Sequence, residues 1–484
     1  MPEAVIPGAV IPGDAVSGRP VGQRLMSAPQ EHAFERHARR LGHDAGRLEG
    51  DAELVSYPIM PSFAALRALS AATPGQRRRR QRVFFNPAIE MRRGIGQGVH
   101  DRLEAAVFAD GTVDPADLAR AGHHLPFPTR ILSVRHRDVR PGESWDLSVR
   151  GEHWGLDDRD DILSVVNVGS LRLEPGAAVL VRGNLLILIV QRLICEGGEN
   201  KIAILPTPFP VDAGTGPLNG AGGSAGRAGT AGADGAGMPT APTWLGARLL
   251  GPVVPGAADG RDGGDGTGGL DGGKARTGGA SKLAEITIAE LAGSLSILAT
   301  AGRGGDGGRG GDGGAGGGGG DGAPGQRHLR GVIPPGRGGD GGGGGDGGRG
   351  GRAGHGGISS NVFVSLPPGQ EGLLRVLAHP AAGGRGGPCG RGGAGGRPGR
   401  GGAHPPEPGT ESVRPRPDGR PGPPGANGPA GHDGRTRPAP PVFVNERAAE
   451  PMPYPTEIPP PGAVRSLDTR RGATWMPTTG GERR

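Results

Sequence analysis

Glycine recurs at every third position through long stretches of this chain, a spacing that fits neither the 3.6-residue turn of an α-helix nor the two-residue alternation of a strand. From Gly302 to Gly322 the other residues, Arg303, Asp306, Arg309, Asp312, Ala315 and Asp321, all fall in one phase of the triplet. The pattern returns from Gly336 to Gly357, where Arg337, Asp340, Asp346, Arg349, Arg352 and His355 share a phase and Ala353 breaks it. It returns again at Gly384, Gly387, Gly390, Gly393, Gly396, Gly399 and Gly402. Weaker runs cover Gly220 to Gly235, Gly260 to Gly272 and Gly419 to Gly434, which makes six segments. Of the 102 glycines, 77 lie in residues 212–434.

A three-residue period matches the left-handed polyproline II type of helix, with about 3.1 Å rise per residue and no internal hydrogen bonds. Its N–H and C=O groups point sideways and need water or neighbouring chains. Close neighbours leave no room for a β-carbon, so G-X-G triplets put glycine on two faces and X on the third. Three arrangements share the pattern. One is a collagen triple helix between chains, for which GRPGPPGANGPAGHDG at 419–434 has the closest composition. The second is an intramolecular bundle of polyglycine II helices, which accounts for the doubled glycines. The third is disorder, because ordering a residue costs about 1–2 kcal/mol while a net backbone hydrogen bond returns about 0.5–1.5 kcal/mol. The expected framework is Gly302, Gly305, Gly308, Gly311, Gly336, Gly339, Gly342, Gly345, Gly384 and Gly387.

The connectors favour the bundle, because disordered linkers seldom carry strand-like apolar runs. AEITIAELAGSLSILA at 284–299, NVFVSL at 361–366 and LLRVL at 373–377 read as short strands that could staple the glycine segments from their ends. The triplets of 302–322 and 336–357 resemble the polyglycine II bundles of certain phage tail-fibre adhesins and of the springtail antifreeze protein, and more loosely bacterial collagen-like surface proteins. The resemblance is confined to residues 214–434. In the adhesins it implies a rigid bundle presenting variable loops to a host surface; in the antifreeze protein it implies a flat ice-binding face, to which Arg and Asp at the X positions are poorly suited.

Ahead of the glycine region, residues 1–60 read as a loose polar arm and 61–128 as a small helical segment, with helices at Ser62–Ala71 and Ile89–Phe108 around the basic run Arg77–Arg82, itself read as a solvated loop. Residues 129–211 read as a β-rich domain, a sandwich or a β-solenoid, with strands at Ile131–Val134, Trp145–Val149, Ile162–Val168, Leu171–Leu173, Val179–Val181 and Asn184–Ile194. LLILIVQRLI at 185–194 is apolar enough for burial on both faces, and a solenoid could seat the glycine bundle at its open end. Residues 435–484 form a Pro-rich tail, and both termini are expected to be disordered. The fold class is therefore mixed: amino-terminal helices, a short-strand β domain, then glycine helices with short β connectors.

Chemistry-bearing motifs are weak. Two cysteines, Cys195 and Cys389, make no disulfide framework or zinc ribbon. Asp110, Gly111, Asp114 and Asp117 echo half of an EF-hand loop, but Ala106 and Phe108 stand where oxygen ligands belong. His123-His124 and Asp157, Asp158, Asp160 and Asp161 read as surface loop. No catalytic, cofactor or metal residue is nominated, and no enzyme is expected. The net charge of +7 is mild for 484 residues. Arg385, Arg391, Arg397 and Arg400 share a phase with no intervening acid, which makes them the candidate contact residues and a conceivable polyanion face. Arg303 and Arg309 alternate with Asp306 and Asp312, and the aromatics that would stack on nucleic-acid bases are missing there. No signal peptide or apolar stretch long enough to cross a bilayer is read. The expectation is a structural or surface-binding protein whose partner is a cell-surface or matrix macromolecule, with nucleic acid the alternative. Its place would be extracellular or on a particle surface by a non-standard route, or otherwise cytoplasmic.

Overall fold

The computed structural model describes residues 9–11, 26–49, 52–84, 104–110, 125–156, 161–207, 218–405 and 415–451. The expected helix at Ile89–Phe108, the EF-hand-like loop and His123-His124 lie wholly or mostly outside those residues, as does the tail from 452.

Strands predominate. β1 (Ala9–Ile11), β2 (Glu53–Ser56) and β3 (Ile59–Met60) precede the long β4 (Phe127–Val139), after which the chain alternates between two sheets. β5 (Ser144–Asp146) belongs to the second sheet, β6 (Leu163–Leu173) to the first, β7 (Ala178–Arg182) to the second, β8 (Leu185–Cys195) to the first and β9 (Lys201–Leu205) to the second. Pairing is parallel throughout this series: β4 with β6 and β6 with β8, β5 with β7 and β7 with β9. Residues read as two strands at Ile162–Val168 and Leu171–Leu173 are one strand, β6. The turn Glu174-Pro175-Gly176-Ala177 forms as expected, with Gly176 at φ +72° and the Ala177 N–H donating to the Glu174 carbonyl at 2.9 Å.

The composition boundary near residue 211 is not a boundary in the sheets. After the hairpin of β10 (Thr240–Thr243) and β11 (Gly246–Leu249), β12 (Ala284–Ile288) adds in parallel to β8, and so does β13 (Leu291–Ala292). β14 (Leu295–Thr300) adds to β9. Beyond a second hairpin, β15 (Gln326–His328) with β16 (Gly331–Ile333), β17 (Val362–Ser365) adds to β12 and β18 (Leu374–His379) to β14. β19 (Val442–Val444) pairs in parallel with β17 and antiparallel with β20 (Arg447–Ala448). The connector strands thus extend the amino-terminal sheets, because their alternating apolar residues complete the same core. Val166, Leu188, Ile202, Ile286, Ile297, Val364 and Val376 all bury in one cluster between the sheets.

Leu185, Ile187 and Ile189, on the other face of β8, pack with Leu66, Leu69 and Phe84. β8 is therefore buried on both faces, as its sequence implies, because helices cover the side that the second sheet does not. α1 (Ala28–Arg40) corrects the expectation of a loose arm at 1–60. Gln30 Oε1 accepts the Ser27 N–H at 2.8 Å to cap its start, and Phe34, Ala38 and Leu41 recur at helical spacing and bury. Asn167 on β6 donates to the Phe34 carbonyl at 3.2 Å. α2 (Phe63–Leu69) lies within the expected Ser62–Ala71, capped by Ser62 Oγ accepting from the Ala65 N–H at 3.2 Å.

The basic run is a second correction. It forms α3 (Pro74–Phe84), opened by Pro74 and by Thr73 and Gln76 capping each other. Arg80 is 0% exposed. Its guanidinium meets the equally buried Glu285 of β12 at 2.8 Å, approaches Glu446 at 3.4 Å and lies 4.5 Å from the centre of the Phe363 ring. Ser70 Oγ and the Ala71 N–H donate to the same Glu285 carboxylate. A helix from the amino-terminal third is thereby fastened to strands more than 200 residues on. Removing one partner leaves the other charge buried and unpaired, so Arg80→Ala is expected to cost about 3–5 kcal/mol in urea unfolding. Arg79→Ala, whose side chain is mostly exposed against Glu446, is expected to cost under about 1 kcal/mol.

Candidate functional site

The six glycine-rich segments carry neither helix nor strand, yet their backbones are bonded to one another at three-residue intervals. The first (218–236) and second (258–279) run antiparallel: the Gly273, Leu270, Thr267, Gly264 and Arg261 N–H groups donate to the Ala221, Ser224, Arg227, Thr230 and Ala233 carbonyls at 2.7–2.9 Å. The third (302–325) runs parallel to the first, taking the Gly220, Gly223 and Gly226 N–H groups on the Asp306, Arg309 and Asp312 carbonyls. The same relations carry on to the fourth (336–357), fifth (382–404) and sixth (416–435) segments. Odd segments make one parallel row and even segments another, and antiparallel bonds join the rows. All ten framework glycines donate across segments at 2.8–3.0 Å: Gly302, Gly305, Gly308 and Gly311 to the second, Gly336, Gly339, Gly342 and Gly345 to the third, Gly384 and Gly387 to the fourth.

Doubled glycines mark segments with bonded neighbours on most sides. Third-segment Gly307 donates to Arg385 of the fifth while its neighbour Gly308 donates to Gly273 of the second, and the fourth segment likewise bonds the sixth and the third. A β-carbon at Gly308 would fall well inside contact distance of the Ala221 carbonyl, and one at Gly342 inside that of Gly264. At Gly318, in the X phase, the nearest atom would be the Arg397 carbonyl oxygen at 3.7 Å.

The aspartates have a role that the sequence reading missed. Arg303 and Arg309 pair with Asp306 and Asp312 of their own segment at 2.8 and 2.9 Å. The same carboxylates also reach the next segment in the row and accept the backbone N–H of Arg385 and Arg391, both at 2.8 Å. Asp321 accepts from Arg400, Asp262 from Asp340, Asp340 from Arg420 and Asp346 from Ala426, each at 2.7 Å. The third N–H of a triplet, which no neighbouring carbonyl meets, is thus taken by a side chain. Where the facing X residue offers no acceptor, proline often removes the N–H instead. By the register of Gly310 to Pro388, Gly344 to Pro423 and Gly350 to Pro429, these prolines face Arg309, Gly343 and Arg349. The signal that could have revealed this is a longer repeat: the Asp and its N–H partner lie 78, 79 or 80 residues apart. That offset also relates β12 to β17 and β14 to β18.

Arg385, Arg391, Arg397 and Arg400 align in one exposed phase of the fifth segment. Two further groups gather at the end of the array away from the sheets, where the Ala236 N–H donates to the Ala257 carbonyl. The β10–β11 and β15–β16 hairpins meet there, with Leu329 N–H donating to the Ala247 carbonyl at 3.0 Å. Trp244, 91% exposed, stands beside exposed Leu245, Leu250, Val253, Val254, Leu329 and Val332 in sequence or in space. Most of the large apolar side chains exposed among the described residues are in this group.

The amino-terminal part gives little chemistry. His43 sits between Ser133 Oγ and Ser56 Oγ, both at 2.9 Å, and burial pushes it down to about 4, so it is neutral and enclosed. Burial pushes the Cys195 thiol up to about 12. Asp161 pairs with Lys282, and Asp157, Asp158 and Asp160 lie outside the described residues. Among the described residues no cluster of His, Cys, Asp or Glu could hold a metal ion, and no helix is long and apolar enough to cross a membrane. No protein-family model, curated protein or solved structure matches the chain.

Asp306 and Asp312 are held below the usual carboxylate range, chiefly by the backbone N–H groups they accept from Arg385 and Arg391, with the neighbouring guanidiniums adding to it. A carboxyl depressed on folding stabilises the fold above its unfolded pKa, near 3.9, and that contribution is lost as pH falls through the folded value. Thermal melts are expected to drop below about pH 4. Asp306→Asn with Asp312→Asn, which keeps an acceptor but cannot titrate, should flatten that drop.

Proposed function

We propose that this chain is a non-enzymatic structural or surface-binding protein in which a β-solenoid carries a rigid bundle of six polyglycine II helices and holds the distal hairpins away from the body. The observation that carries the reading is the lateral hydrogen bonding of all six segments at three-residue intervals, in two rows. This spacing is what a threefold helix needs, since each turn offers one N–H to the same neighbour. Each parallel row continues a parallel sheet: the bond from the Gly278 N–H to the His355 carbonyl is followed by Ser281 to Ile358 and then by Ala284 to Asn361, where β12 meets β17. Solenoid turns of equal offset would therefore set the register of the glycine helices without help from glycine side chains.

The alternative is a polyanion-binding protein using Arg-Gly-Gly tracts. Arg385, Arg391, Arg397 and Arg400, exposed along one phase, favour it, but it calls for flexible tracts, and the lateral bonds favour rigid ones. Counterion release makes affinity fall steeply with salt in that case alone.

The test is amide exchange across 302–322 and 336–357 together with a pair of substitutions. Slow amides are expected, since disorder would leave them unprotected. Gly308→Ala is expected to destabilise by about 1–3 kcal/mol or more through forced contact with backbone. Gly318→Ala should be neutral or stabilise by up to about 1 kcal/mol. Equal effects of the two, or unprotected amides, would remove the bundle.

A further inference from the structure

The distal hairpins combine two properties that point to a single kind of partner. They expose Trp244, Leu245, Leu250, Val253, Val254, Leu329 and Val332, and an exposed apolar group of this size marks an interaction surface. Their charge is of one sign. The hairpin stretches 240–254 and 326–333 contain Arg248, Arg327, His328 and Arg330 and no acid, while the flanking Asp234, Asp259, Asp321 and Asp340 are engaged at the segment ends by the backbone N–H groups of Asp321, Arg337, Arg400 and Arg420. The fifth segment is likewise free of acids from 384 to 402, but no large exposed apolar side chain lies in it, so the two properties coincide at this end.

We infer that this end docks on an anionic lipid surface. Resting on the bundle reading above, this names the partner class of its tip. An indole, leucines and valines beside guanidiniums suit the boundary between headgroups and acyl chains, where apolar groups enter and cations meet lipid phosphate. A second copy of the same tip is disfavoured, since tip-to-tip contact would oppose cations to cations. The hairpins are short and their backbone polar groups are partly paired, so the contact is interfacial and spans nothing.

Full-length protein is to be sedimented with vesicles of phosphatidylcholine and with vesicles of phosphatidylcholine and phosphatidylglycerol at two to one. The expected result is at least tenfold tighter association with the anionic vesicles, a blue shift of tryptophan emission that Trp244→Phe abolishes, and a tenfold or greater loss in Trp244→Ser with Leu245→Ser. Leu270→Ser, which removes an equally exposed leucine from the second segment, should bind as the parent. Equal binding to both vesicles, no binding, or a tip double variant that binds as the parent overturns the inference. Amide exchange on the same samples separates the two failures: slow amides at 302–322 without vesicle binding remove the lipid partner alone, whereas fast amides remove the bundle beneath it.

Discussion

A backbone N–H can reach the carbonyl of a chain lying alongside it only if nothing projects between them, and from 302 to 322 and 336 to 357 glycine clears that space twice in each triplet but the one that holds Ala353. The third and fourth segments are each bonded on opposite sides, by Gly307 and Gly308 in one and by the corresponding pairs in the other. No side chain of these two segments joins the hydrophobic clusters of the described residues. The array is held by many weak, equivalent bonds, and its order depends on something else fixing where each segment begins.

In the proposed reading the parallel sheets supply those starting points. Each of the later turns carries a strand in the first sheet, a strand in the second, an outgoing glycine segment and a returning one. Ile286, Ile297, Val364 and Val376 bury between the sheets, and the bonds between the glycine rows keep the residue offset that the strands have. Glu285, buried in β12, ties the helices of the amino-terminal third to this frame through Arg80. Aspartates at the X positions settle the third N–H of the triplet, and prolines such as Pro388, Pro423 and Pro429 settle it by lacking one. Charge and proline content on the outer faces are therefore matched across segments instead of being a solvated average.

Much of this could be read along the chain. Triplet phase identified the six glycine segments, and period-two apolar runs placed β6, β8, β12, β14 and β17 close to where they lie. α1 was hidden by proline and charge around it, although Phe34, Ala38 and Leu41 keep helical spacing. The basic run was misread because five guanidiniums suggest solvent, and Arg80 buries only because Glu285, Glu446 and Phe363 converge on it from distant strands. The acceptor role of the aspartates needed knowledge of which segment lies beside which.

The sequence by itself determined which residues can approach one another backbone to backbone, because the absence of a β-carbon is a local property that no fold can alter. It also determined which short runs can bury in a sheet. Tertiary structure alone decided that the connectors join the amino-terminal sheets, that outgoing and returning segments form separate rows, and that apolar and cationic hairpins gather at one end. Those outcomes depend on pairings between residues 78–80 apart or further, and a local pattern carries no information about its distant partner until the register of the strands brings the two together.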